Sequence, residues 1–146
     1  MSGGGSRIGG VVGNTSSLTS CYNTGSVSGS GSRIGGVVGY VSSSLTTCYN
    51  TGSVSGIGDY VGGVVGYSSS SSLLSACYFI DQAEDDATGG VGNSTSSSYT
   101  YMILSSKSEL NAVIDTMNTA AGDTYYEQDT NNVNDGYPIL VNIDYQ

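Results

Sequence analysis

Gly5-Ser6-Arg7-Ile8-Gly9-Gly10-Val11-Val12-Gly13 returns as Gly31-Ser32-Arg33-Ile34-Gly35-Gly36-Val37-Val38-Gly39. It returns again as Gly58-Asp59-Tyr60-Val61-Gly62-Gly63-Val64-Val65-Gly66. The steps from Gly9 to Gly35 to Gly62 are 26 and 27 residues. A second block follows each copy. Cys21-Tyr22-Asn23-Thr24-Gly25-Ser26-Val27-Ser28-Gly29 matches Cys48-Tyr49-Asn50-Thr51-Gly52-Ser53-Val54-Ser55-Gly56 residue for residue. The third copy keeps Cys77-Tyr78 and then runs into Phe79-Ile80-Asp81, and Gly89-Gly90-Val91-Gly92 hints at a fourth, broken copy. A fixed period of this length marks a repeat architecture in which each unit buries its apolar face against its neighbours.

The stretch between the two blocks varies: 8 residues from Gly13 to Cys21, 9 from Gly39 to Cys48, 11 from Gly66 to Cys77. The additions include Ser, as in Ser68 to Ser72, so a surface loop on one side of the stack absorbs them. Gly, Ser, Val, Thr and Tyr are poor helix formers. Apolar positions alternate at strand spacing, as in Ser26-Val27-Ser28, and Gly punctuates them. The expected fold is therefore mainly β: a short parallel β-solenoid, right-handed by the bias of parallel crossovers, over residues 1–92. Its rungs would stack at about 4.8 Å. Val27 over Val54, and the column Val11, Val37, Val64, become inward ladders. Glycines would stand where positive φ or close backbone approach is needed.

Residues 93–146 read differently, as a small α+β C-terminal cap. Ser106-Lys107-Ser108-Glu109 is a capping box that opens a helix near 107–121. Leu110, Val113, Ile114 and Met117 make one apolar helical face, and Gly122 is its stop. Tyr125-Tyr126 and Tyr137 to Val141 read as short strands, with Asn134-Asp135-Gly136 as the turn between them. A cap is expected because the last rung of a solenoid exposes an apolar end and unpaired strand edges.

Composition narrows function. Ser and Gly make up 50 of the 146 residues, and Leu, Ile, Val and Phe together only 30. Without a period that composition would border on disorder. His is absent, which removes His-based triads and His metal sites. Residues 1–80 sum to +1 and residues 81–146 to −10, giving the net −9. Three basic residues make no phosphate-backbone footprint, so neither a nucleic acid nor an anionic membrane surface is an expected partner. No run approaches the ~20 apolar residues of a membrane span, and no signal peptide opens the chain. Met1-Ser2-Gly3 precedes a copy already under way, so further copies are expected upstream.

The paired blocks Gly-Gly-Val-Val-Gly and Cys-Tyr-Asn-Thr-Gly-Ser-Val-Ser-Gly resemble the GLUG motif. That repeat is found in bacterial cell-surface, adhesin-like proteins and in IgA-peptidase-related proteins. The tail from Asp129 to Leu140 resembles the segment that closes such arrays. The resemblance covers residues 5–92 and about 125–141. It implies secretion, an extracellular cell-surface setting, a longer modular parent, and a role in attachment or display. It carries no catalytic residue onto this chain, and His-Glu-x-x-His is absent.

The remaining constellations are weighed on chemistry. Cys21, Cys48 and Cys77 share one repeat position. Their spacings match no zinc site, so a column of small packed thiols is expected. Adjacent rungs fall within disulfide range, an odd count leaves one thiol over, and the redox state stays open. Tyr22, Tyr49 and Tyr78 stack by register as packing. Tyr40, Tyr60, Tyr67, Tyr99 and Tyr101 lie nearer loops and the cap and are the candidate ligand contacts, because Tyr offers a flat apolar face with a polar tip. The run Asp81, Glu84, Asp85, Asp86 and the stretch Asp129 to Gly136 read as solvated loops rather than calcium sites. No catalytic residue, cofactor or metal is expected. The leading function is a non-enzymatic structural or adhesion module, with further repeats of its parent and a host or bacterial glycan or protein as partners. A carbohydrate-binding module, or an inert accessory segment of a secreted peptidase, is the alternative.

Overall fold

The computed structural model describes residues 1–69, 73–80, 89–94 and 99–141, with backbone alone at 3, 93–94 and 99–102. The chain is mainly β, and its repeats pair in parallel sheets. One sheet joins Ser2–Gly3, Val27–Gly29 and Val54–Gly56. A second joins Arg7–Gly9, Arg33–Gly35 and Tyr60–Gly62. The third contains Val12–Thr19, Val38–Thr46, Val65–Ser68 and Val91–Ser94, and beyond them Tyr22–Asn23, Tyr49–Asn50, Leu73–Ile80 and Tyr99–Leu104.

Each strand pairs with its equivalent one repeat away. Ile8 faces Ile34, which faces Val61, and Val27 faces Val54. Register changes in the variable Ser stretch: the partner of Thr15 is Val41, but that of Ser17 is Ser44. The extra residue is absorbed as a bulge, as a one-sided insertion requires. The fourth copy is also there. Val91 pairs with Val65, and Gly89 O and Gly90 O accept from Gly63 N and Val64 N at 2.8 and 2.9 Å. Tyr99–Leu104, in the segment read as cap, runs parallel to Leu73–Ile80 and so extends the same column.

Two apolar clusters fill the repeats. Val37, Val38, Val41, Leu45, Val64, Val65, Leu74 and Phe79 form one, and Ile8, Val27, Ile34, Val54 and Val61 the other. Val37 and Val64 are fully buried, but Val11 of the same column is 42% exposed. It belongs to the outermost copy, and among the described residues no strand stacks on its outer side.

The repeat glycines serve close approach, not positive φ. Among the described glycines only Gly122 and Gly136, both outside the repeats, have positive φ. A Cβ on Gly36 would stand 2.1 Å from Gly63 O and 2.3 Å from Asn50 Nδ2. The left-handed positions fall instead on Ser20, Thr47 and Ala76, with φ of 53°, 50° and 49°, each immediately before a cysteine. That residue breaks strand alternation, so Leu18 and Cys21 both pack on the interior cluster while Tyr22 points to the opposite flank. Beyond the tyrosine, Asn23 and Asn50 close the next turn. Asn50 Nδ2 donates to Gly52 O at 2.7 Å, its Oδ1 accepts from Gly52 N at 3.2 Å, and Asn23 Nδ2 donates to Asn50 Oδ1 at 2.8 Å.

The α+β segment holds helix α1 (Lys107–Ala112), helix α2 (Ile114–Ala121) and an antiparallel pair, Tyr126–Glu127 with Ile139–Leu140. Ser106 Oγ accepts from Glu109 N at 3.3 Å, and the Glu109 carboxylate accepts from Ser105 N at 2.6 Å. Val113 interrupts the helical run, and Gly122 ends it in the left-handed conformation. An end cap was expected, but the segment's apolar face lies along the flank of the stack. Leu110, Ile114, Met117 and Tyr126 cluster with Tyr49, Tyr78, Ile80 and Leu104. The physical reason is the tyrosine column, which leaves a broad apolar flank that the helices cover.

Candidate functional site

The second and third sheets meet along an outer line of arginines and tyrosines. Arg7, Arg33 and Tyr60 occupy one register column, and Asn14, Tyr40 and Tyr67 the adjacent one. Seven residues separate the two columns within each copy, so every repeat adds one member to each. Tyr40 and Tyr67 stack with centroids 5.8 Å apart and planes 8° from parallel. Tyr60 tilts against Tyr67 at 5.4 Å and 55°. The Arg7 guanidinium lies 4.7 Å from the Tyr40 centroid, and that of Arg33 lies 5.3 Å from Tyr40 and 4.8 Å from Tyr67. Each such cation–π contact contributes ~0.5–1 kcal/mol at an exposed site.

This row brings together three of the five tyrosines singled out from the sequence. Tyr99 and Tyr101 are on another strand, in register with Leu74 and Cys77, and their side chains lie outside the described residues. The sequence reading passed over Arg7 and Arg33. The recurring pairs Arg33/Tyr40 and Tyr60/Tyr67, both seven apart, were the available signal. Neighbours partly cover the ring faces, which leaves hydroxyls, ring edges and guanidinium edges. Arg33 Nε is buried and makes no hydrogen bond among the described residues. Neither guanidinium is paired with a carboxylate among them. The row is thus a donor-rich cationic strip on a chain of net charge −9, suited to hydrogen bonding with a polar or anionic surface.

The other candidates are less organised. Asp129 spends its carboxylate on the backbone, accepting from Val133 N, Asn134 N and Gly136 N at 2.9, 2.7 and 2.9 Å. Those bonds hold it below the ordinary Asp value although partial desolvation pushes it up. The run Asp81, Glu84, Asp85, Asp86 lies outside the described residues. Two grooves flank α2. One contains Asp115, the other Asp115 and Glu127, and both carboxylates are exposed. Among the described residues no three Cys, Asp or Glu side chains converge as a metal ligand set, and no helix is long and apolar enough to cross a membrane.

The flank tyrosines hold the two parts of the fold together. Tyr22 and Tyr49 stack at 5.0 Å and 3°. Tyr49 OH donates to Pro138 O and accepts from Asn134 Nδ2, and Tyr126 OH reaches Thr47 O at 2.8 Å and Cys21 O at 3.2 Å. Burial, followed by the neighbouring Cys48 and Tyr49, holds the Tyr126 phenol far above its ordinary value. Tyr49 and Tyr126 are structural, since their hydroxyls are consumed inside the molecule.

No family model, curated protein or solved structure matches the chain.

Proposed function

We propose that the chain is a non-enzymatic structural and adhesion module of a secreted bacterial cell-surface protein. The parallel sheets are read as successive turns of a right-handed β-solenoid that extends and presents the Arg–Tyr strip, with the α+β segment bracing one flank. The observation that carries this reading is the register. Equivalent residues of four copies pair one repeat apart, so a short repeat builds an outer row that lengthens with copy number. The resemblance of both sequence blocks to the GLUG motif supports the surface setting and a longer parent.

A carbohydrate-binding role is the second reading, and the Arg–Tyr strip favours it. One experiment separates the two. The chain is titrated calorimetrically with neutral and acidic polysaccharides, alongside Tyr67→Ala and Arg33→Ala. A spacer gives no saturable heat. A glycan-binding module gives saturable binding that either substitution abolishes. Release of new reducing ends would overturn the non-enzymatic reading. The solenoid is tested by inserting one more 27-residue copy and measuring small-angle scattering. The particle should lengthen by about 4.8 Å at constant cross-section.

A further inference from the structure

Exposure along the Arg–Tyr strip is lateral, because its middle members have a copy on either side. Arg33 stands between Arg7 and Tyr60, Tyr40 between Asn14 and Tyr67, and Tyr67 between Tyr40 and Asn93. All three are nevertheless half-buried rather than sealed. Their rings are already engaged. Tyr67 and Arg7 lie against Tyr40, while Tyr40, Tyr60 and Arg33 lie against Tyr67. A neutral sugar gains most by laying its apolar C–H face on an open aromatic ring. Partly covered rings weaken that mode, and what the strip offers outward is N–H and O–H groups.

These donors have no acceptor inside the described molecule. The hydroxyls of Tyr40, Tyr60 and Tyr67 make no hydrogen bond among the described residues, unlike those of Tyr49 and Tyr126, which reach Pro138 O and Thr47 O. Arg33 Nε is buried without a partner, and its Nη groups are neither bonded nor buried. Ring contacts at 5.3 and 4.8 Å hold that guanidinium from two sides while its fork stays unspent. A fork held in place this way matches an oxyanion, which accepts two parallel N–H···O bonds. Arg7 pairs with Arg33 in register, so the two cations are rooted about 4.8 Å apart. Like charges at that spacing repel. No carboxylate among the described residues, Asp59 beside Tyr60 included, pairs with either.

We propose, resting on the carbohydrate-binding reading of the strip, that it is an oxyanion site for an acidic polysaccharide. Arg33, set between Tyr40 and Tyr67, and Arg7, on Tyr40, bind the carboxylate or sulfate groups of the polymer. The free tyrosine hydroxyls donate to its ring and hydroxyl oxygens. The two columns run from copy to copy, so a linear polymer lying along the stack meets a donor at each step. Two cations suit a chain of low charge density. A nucleic acid, with a phosphate at every nucleotide, calls for a denser cationic surface.

The test titrates the full chain calorimetrically with polygalacturonate, dextran sulfate, neutral dextran and poly-L-glutamate. The expected result is saturable binding to polygalacturonate, to dextran sulfate or to both, which separates carboxylate from sulfate recognition. Dextran should give no saturable heat, and polyglutamate should bind more weakly than the acidic sugars. Affinity should fall as sodium chloride is raised, because salt screens exposed charges. Arg33→Gln should weaken binding about tenfold or more. Arg33→Lys keeps the charge and loses the fork, and should recover only part of the loss. Arg7→Gln, at an exposed position, reads the same effect if Arg33→Gln does not fold. Dextran bound as tightly as the acidic polymers would overturn the proposal and leave the carbohydrate reading standing. Polyglutamate bound as tightly as polygalacturonate would overturn it in favour of an acidic protein partner. Binding that neither salt nor the arginine substitutions weaken would overturn it as well. Silence from all four polymers would overturn the proposal and the carbohydrate reading together, leaving the spacer.

Discussion

Gly25 and Gly52 sit in identical nine-residue contexts, yet replacing them with alanine should have opposite consequences. At Gly52 a Cβ would stand 2.2 Å from Gly25 O and 2.5 Å from Gly25 C, both backbone atoms of the adjacent copy. Restoring a contact of 3.4 Å requires the two strands to part by 1.2 Å. Two hydrogen bonds flank the site, Thr51 N to Asn23 O at 2.9 Å and Val27 N to Ser53 O at 2.8 Å, and both would break. At ~0.5–1.5 kcal/mol each, with ~1–3 kcal/mol for overpacking, the cost is about 2–6 kcal/mol. For a chain of this size, at about 3 °C per kcal/mol, that lowers Tm by roughly 6–18 °C. At Gly25 the new Cβ meets only Asn23 Oδ1, at an ordinary 3.7 Å, and φ is not positive. Gly25→Ala should be neutral or stabilise by up to ~1 kcal/mol through the unfolded chain. Urea titration followed by circular dichroism reads both, as a shift in midpoint at constant slope. Equal destabilisation by the two substitutions, or a neutral Gly52→Ala, would refute the stacking of one copy's backbone on the next.

Three further outcomes follow from the same contacts. Asn50→Ala should cost about 2–4 kcal/mol, because it leaves Gly52 N, Gly52 O and Asn23 Nδ2 without their partner. Asn23→Ala, at a half-buried position whose loss leaves Asn50 bonded to Gly52, should cost only ~1 kcal/mol in the same urea assay. Tyr126 gives a pH prediction. Its folded phenol titrates above the unfolded value near 10, so its stabilisation is complete below about pH 10. Above that pH it is lost at ~1.4 kcal/mol per unit as the unfolded phenol ionises. Tyr126→Phe should flatten that alkaline slope while lowering neutral-pH stability through loss of the bonds to Thr47 O and Cys21 O, both visible in midpoints measured from pH 8 to 11. Ser106→Ala should cost ~1 kcal/mol by removing the acceptor for Glu109 N, seen as faster amide exchange in α1.

Much of the architecture was legible in the sequence because it is periodic. The 26–27-residue step sets which residues become neighbours, so Ile8, Ile34 and Val61, or Val27 and Val54, could be paired from the sequence alone. The varying distance from Gly to Cys located the bulge, and the box around Ser106 located the helix start. Tyr40, Tyr60 and Tyr67 were singled out as candidate contacts nearer loops, whereas all three stand on strands. Their organisation around Arg7 and Arg33 was not legible, since it depends on two sheets meeting at an edge that neither block encodes.

Sequence by itself determined the parallel pairing and its register, because identical copies have one arrangement in which all like positions coincide. Tertiary structure alone decided what each copy of a position experiences. Val11 is open where Val37 is buried, Gly25 has room for a side chain where Gly52 does not, and Cys21 is half-buried where Cys48 is fully buried. The same residues in the same local sequence differ because burial and steric contact come from the neighbouring copy, and the outermost copy has a described neighbour on one side only. The flank position of the helices was likewise decided in three dimensions. It follows from the apolar tyrosine column that the left-handed residues Ser20, Thr47 and Ala76 turn outward, a backbone choice no glycine signalled.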